Sequence, residues 1–172
     1  MSMIPIILDT DIGTDVDDAL ALTLAYHSPE IDILAVTTVG GDVRLRGWIA
    51  RKLLRVLGRD EIPVAAVCDR RLNGKEFKPM PISGARGFIE NEQAGLPLQE
   101  QHAVDLFIDL LQAANTKITL ILIGPVTNAA MAPKRCPQIK EKIERFVVMG
   151  GSIHPKDILK KEGWVKWVPG CP

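Results

Sequence analysis

Five short apolar runs, separated by segments with helical periodicity, constrain this chain more than any other feature. The runs are Ile4–Leu8, Ile31–Val39, Ile62–Val67, Ile118–Ile123 and Phe146–Met149, and each reads as a buried strand. A helix is expected from about Asp17 to His27, with Leu20, Ala21 and Leu24 on one face and Ser28-Pro29 as its stop. A second spans Val43 to Leu57. Its Ile49, Leu53, Val56 and Leu57 fall on one side, Arg51, Lys52 and Arg55 largely on the other, and Gly58 ends it. A third spans Gln101 to Ala114 with Val104, Phe107, Ile108 and Leu111 as its stripe. A fourth starts at Thr127, is broken by Pro133 and Pro137, and resumes for a turn or two over Ile139–Ile143. Strands joined by helical crossovers must run parallel, so the expected fold is α/β: a mostly parallel open sheet with helices on both faces. From Cys68 to about Glu100 no periodicity is sustained, and this stretch reads as one long loop.

In such a sheet, chemistry sits beyond the carboxyl ends of the strands. Three sets of residues fall on that rim: the acids after the first run, Gly40-Gly41-Asp42 after the second, and Gly124-Pro125-Val126-Thr127-Asn128 after the fourth. The first set is the densest. Asp9, Asp11, Asp15, Asp17 and Asp18 lie within ten residues, where the chain leaves a strand and enters a helix. Carboxylates this crowded repel, and some must hold protons unless a counter-charge is present. A divalent cation supplies it, and hard oxygen ligands suit calcium or magnesium. The dull alternative is helix capping, with Thr14 and Asp17 as a capping box and Asp15 as N-cap; it accounts for two acids of the five.

Composition closes other routes. The 172 residues carry 21 Lys+Arg against 21 Asp+Glu, so no basic surface for nucleic acid is expected. Aromatic residues are 5%, too few for a base-stacking platform. No apolar run approaches the roughly 20 residues of a membrane helix, and the first residues lack the basic start of a signal peptide. Three scattered cysteines form neither a disulfide framework nor a zinc pattern, and a cytoplasmic location is the expectation. His27 at a helix end, His102 at a helix start and the arginines Arg44, Arg46, Arg51, Arg55 and Arg59 read as structural or solvated groups rather than catalytic ones.

Asp9-Thr10-Asp11-Ile12-Gly13 followed by Asp17-Asp18-Ala19 resembles the N-terminal motif of the inosine–uridine-preferring nucleoside hydrolases. Ala35 to Gly41, Ile123 to Ala130 and Val147 to Gly151 resemble later motifs of that family, in the same order, so the likeness runs over about residues 4–151. The resemblance implies a Rossmann-like nucleoside hydrolase fold and Ca²⁺-dependent hydrolysis of the N-glycosidic bond of a small-molecule ribonucleoside. It implies Asp11 as calcium ligand and general base, Asp18 as calcium ligand, Thr127 as carbonyl ligand, and Asp17 as ribose contact. Three residues separate Gly13 from the Asp pair where the family's shorter version has one, so Asp15 competes as a metal ligand. Asp42 stands where many members have a ribose-binding Asn; a plain turn residue is the alternative.

The family's ribose-binding segment, its later His and a further calcium-ligating Asp find no match in Ser152 to Pro172. The division expected is therefore 1–151 as the hydrolase-like portion and 152–172 as an unmatched tail, with a short helix over Lys156–Glu162 and a strand over Trp164–Val168. Impaired turnover and an exposed apolar sheet edge, prone to homo-oligomer formation, are the further expectations. Two alternatives stand beside this reading. One is a haloacid-dehalogenase-like, Mg-dependent phosphatase, using Asp9 and Asp11, although Gly13 is not the residue that family wants. The other is a catalytically inactive metal-binding fragment.

Overall fold

The computed structural model describes residues 3–77, 82, 87–89 and 95–150. The strands are β1 (Ile4–Thr10), β2 (Ile31–Val39), β3 (Val64–Cys68), β4 (Ile118–Leu122) and β5 (Ile143–Val148). The helices are α1 (Asp17–His27), α2 (Val43–Val56), α3 (Ala103–Ala113) and α4 (Thr127–Arg135), and a 3-10 turn covers Pro137–Lys142. The strands form one sheet in the order β3-β2-β1-β4-β5, and every pair is parallel. The chain thus winds one way from β1 through β2 to β3, then crosses back to lay β4 on the other side of β1. The expected α/β sheet with helices on both faces is what forms.

Period-two alternation along β1 divides the core. Ile6 and Leu8 point to one face, where Leu22 of α1 and Ile49 and Leu54 of α2 cover them. Ile7 points to the other, with Leu120, Leu122, Phe107 of α3 and Ala132 of α4. The aperiodic stretch after β3 is not merely a surface loop: Ile82, Ile89 and Leu96 are buried in the first of these clusters.

Several local expectations are corrected. In α1, Leu20 and Leu24 are 61% and 69% exposed, and the buried stripe is Asp18, Leu22 and Ala25. Because Asp18 is drawn inward, the residues four and seven positions on follow it to the core. In α2, Val56 is exposed while Arg46 and Arg51 are buried, so the basic face is not wholly solvated. Pro133 lies inside α4, which continues to Arg135 and closes with the Cys136 amide on the Ala132 carbonyl; the ring forfeits one hydrogen bond without ending so short a helix. Ile143 opens β5 rather than extending the helical turn. The structures expected over 156–162 and 164–168 lie outside the described residues. Among the described residues no helix is long and apolar enough to cross a membrane.

Candidate active site

The winding reverses between β1 and β4, and a crevice at the carboxyl ends of an open sheet forms at such a reversal. The loop from Asp11 to Val16 leaves β1 there, and the loop from Ile123 to Val126 leaves β4 beside it. The Ile123 amide donates to the Asp9 carbonyl at 2.9 Å, which carries the pairing of the two strands to the rim. A Cβ on Gly124 would lie 2.8 Å from the Asp11 amide nitrogen and 3.0 Å from its Oδ1. Only a residue without a side chain lets these two loops approach so closely.

Asp9 forms the floor. It is fully buried at the end of β1, accepting at Oδ1 from Thr37 Oγ1 at 2.6 Å and from Asn128 Nδ2 at 2.8 Å. Asn128 Nδ2 also reaches the Thr38 carbonyl at 3.2 Å, so this one amide ties the start of α4 to β1 and β2. Asp9 Oδ2 and Asn128 Oδ1 are buried without a hydrogen-bond partner in the structure. Loss of water pushes the Asp9 carboxyl up to about 7, against the opposing pull of Thr37 and Asn128.

Above this floor, one oxygen each of Asp15, Asp17 and Asp18 lie within 4.8 Å of one another. Asp18 is buried on the first turn of α1 and accepts from Thr10 Oγ1 at 2.5 Å. Burial, reinforced by Asp11, Asp17 and Asp15, pushes it up to about 7. Asp15 and Asp17 are exposed and hydrogen-bonded to each other, which raises Asp15 to about 6 and lowers Asp17. Asp11 is half-buried; burial raises it and the Arg46 charge works against that. The capping alternative is not what forms. The N-cap of α1 is Val16, with no side-chain hydrogen bond to the helix start, so neither Thr14 nor Asp15 is spent there. Asp17 Oδ1 accepts from the Asp18 amide at 3.0 Å.

The structure therefore brings together Asp15, Asp17 and Asp18, with Asp11 close enough to act on Asp17 and Asp18 electrostatically; Thr127 is buried at the first position of α4. Asp42 is placed differently: it is the N-cap of α2 and accepts from the Leu45 amide at 3.1 Å. Two functional neighbours were not evident from the sequence. Asn128 stood in a recognisable stretch without a role. Arg46 was grouped with solvated arginines, yet it shares a helical stripe with Val43, Gly47, Ala50 and Leu54, all buried. That spacing was the available signal. Of the histidines, His102 caps α3 through Nδ1, accepting from the Val104 amide at 3.1 Å, and His27 lies exposed against Tyr26.

The donor set fits a hard dication. It is all oxygen, it is crowded with like charge, and two of its three carboxyls, Asp15 and Asp18, are raised while Asp17 is lowered.

Comparison with known proteins bears on this geometry. A family model described as inosine-uridine preferring nucleoside hydrolase matches residues 6–165. An inosine-uridine preferring nucleoside hydrolase of Crithidia fasciculata is 38% identical over 155 residues, covering 87% of this chain and 49% of that protein. The non-specific ribonucleoside hydrolase RihC of Escherichia fergusonii is 36% identical over 156 residues, covering 87% and 49%. Among solved structures, an inosine-guanosine nucleoside hydrolase superposes with a TM-score of 0.76 at 27% identity, covering 88% of this chain and 50% of that one. A plant nucleoside hydrolase superposes with a TM-score of 0.72 at 30% identity, covering 86% and 48%. The chain spans about half the length of the relatives it matches.

Proposed function

Because the chain belongs to the inosine-uridine preferring nucleoside hydrolase family, we propose that its acid loop is the cation and ribose end of a site that hydrolyses the N-glycosidic bond of ribonucleosides. One observation carries the reading. Three carboxylates converge within 4.8 Å at the reversal of winding, and none of them caps α1. The haloacid-dehalogenase-like alternative finds no support in the family match.

Asp18, Asp15 and Asp11 are the side chains that would hold Ca²⁺, with the Thr127 carbonyl from the facing loop. When bound, the ion supplies positive charge that lowers the pKa of a water and orients a sugar diol. Asp11 takes the proton of the attacking water on its carboxylate. Its partial burial raises its basicity, and the Arg46 charge works against that rise. Asp17, exposed and held low, accepts from a ribose hydroxyl. Asp42, which caps α2 through the Leu45 amide, would serve as a second ribose contact. The carboxylates of the acid loop would favour positive charge growing on the sugar as the bond to the base breaks.

Calcium titration of the purified protein by calorimetry, followed by assay of inosine and uridine cleavage, tests this. Saturable calcium uptake that D18N removes, together with weak release of free base, is the expected result. Uptake unaffected by both D11N and D18N would overturn it.

A further inference from the structure

Arg46 is 3% exposed, lies near the start of α2 and reaches the loop after β1. Its Nε donates to the Gly40 carbonyl at 2.7 Å. Its Nη1 donates to the Ile12 carbonyl at 2.9 Å and to Thr14 Oγ1 at 3.1 Å, and contacts the Asp11 carbonyl as well. These acceptors belong to two segments far apart in sequence, the end of β2 and the loop after β1. They are three main-chain carbonyls and a hydroxyl, so in these contacts no carboxylate oxygen is engaged. A cation placed here only to neutralise acids would pair with the acids themselves.

We propose that Arg46 is a positioning residue that fixes the backbone from Asp11 to Thr14 against Gly40 and so shapes the acid loop for a dication before the ion arrives. The planar fork is what the task needs. One guanidinium can reach Gly40 through Nε and the loop through Nη1, whereas a lysine ammonium is a single point that cannot span both. Gly40 has φ +82° and Gly41 φ +65°, a left-handed pair that turns the Gly40 carbonyl towards Arg46 at the start of α2. A loop already fixed loses less freedom when it binds, and affinity rises accordingly. The affinity part of this inference rests on the calcium reading above; the loop-fixing part does not.

The test compares the parent protein with R46K and T14V, using calcium calorimetry and amide hydrogen exchange without metal. R46K is expected to weaken calcium binding at least tenfold. It should also deprotect the Ile12 amide, which donates to Thr10 Oγ1 at 3.1 Å, while α3 amides keep their protection. A residue serving stability alone would lower protection throughout and leave calcium affinity of the folded fraction unchanged. T14V removes one acceptor and is expected to show the same local pattern at two- to threefold. Should R46K fail to fold, T14V decides: local deprotection near Ile12 supports the proposal, and parental exchange there overturns it. R46K with parental affinity and parental protection also overturns it. If the parent binds no calcium yet R46K still frees the loop, the loop-fixing role stands and the calcium reading falls.

Discussion

β1 and β5 are both apolar, and both run parallel to β4, yet they meet opposite fates. β1 lies between β2 and β4, and Ile6, Ile7 and Leu8 are at most 1% exposed. β5 pairs with β4 alone among the described strands, and Phe146, Val147, Val148 and Met149 are between 41% and 51% exposed. The same contrast holds for charge. The depth that hides Ile7 also strips water from Asp9 and raises it to about 7. Glu144 and Arg145 on β5 merely approach to 3.8 Å at the surface, where such a pair is worth little. Position in the sheet, not strand composition, decides whether a carboxylate there keeps its water.

Substitutions on the two strands and their loops sharpen that contrast, and the largest effect is expected at the centre. D11N should lower nucleoside cleavage by about 10²–10⁴-fold, the usual worth of a positioned general base, measured as kcat/KM for inosine. L8A should cost about 2–5 kcal/mol in urea denaturation through a cavity under the site, whereas V147A should cost about 0.5 kcal/mol or less. Equal costs would show that β5 is as deeply packed as β1.

Stability should also depend on pH, chiefly through the centre, with His102, which burial lowers, working in the opposite sense. Asp9 and Asp18 bind protons more tightly folded than unfolded, where their value is 3.8. The stability this confers is complete below about 4 and is lost as pH rises through about 7. Asp17, lowered and exposed, opposes this weakly. The Tm without added cation should therefore fall between pH 5 and pH 8, and saturating calcium should flatten the profile. N128A should destabilise by about 1–3 kcal/mol, since it leaves Asp9 and the Thr38 carbonyl each short of a donor; thermal unfolding measures it. The smallest effect on folding is expected from F146T with V148T. These should leave Tm nearly unchanged and reduce self-association in sedimentation velocity.

Much of this molecule was legible in the sequence because its signals are local. Ile31–Val39 and Asp17–His27 announced themselves by β-branching and by their flanking stops, and both form over those bounds. The crowded acids after β1 marked the site because like charges at a strand end have few inexpensive explanations. Less legible was which way each element faces. Leu20 and Leu24 looked like a buried stripe, but α1 is rotated to carry Asp18 inward. Arg46 looked solvated, and nothing local shows that the Asp11 and Ile12 carbonyls of the neighbouring loop wait for it.

The order of strands and helices, the parallel winding and the oxygen-rich first turn all follow from the residues in line. Periodicity, turn residues and charge density are properties of neighbouring positions, so one chain suffices to display them. Only the tertiary structure decided that β4 returns beside β1, that Gly124 admits Asp11, that Asn128 holds Asp9, and that an arginine of α2 braces the acid loop. Those facts join residues up to 119 positions apart. Distances between them, and the water lost there, exist only once the sheet has closed over both.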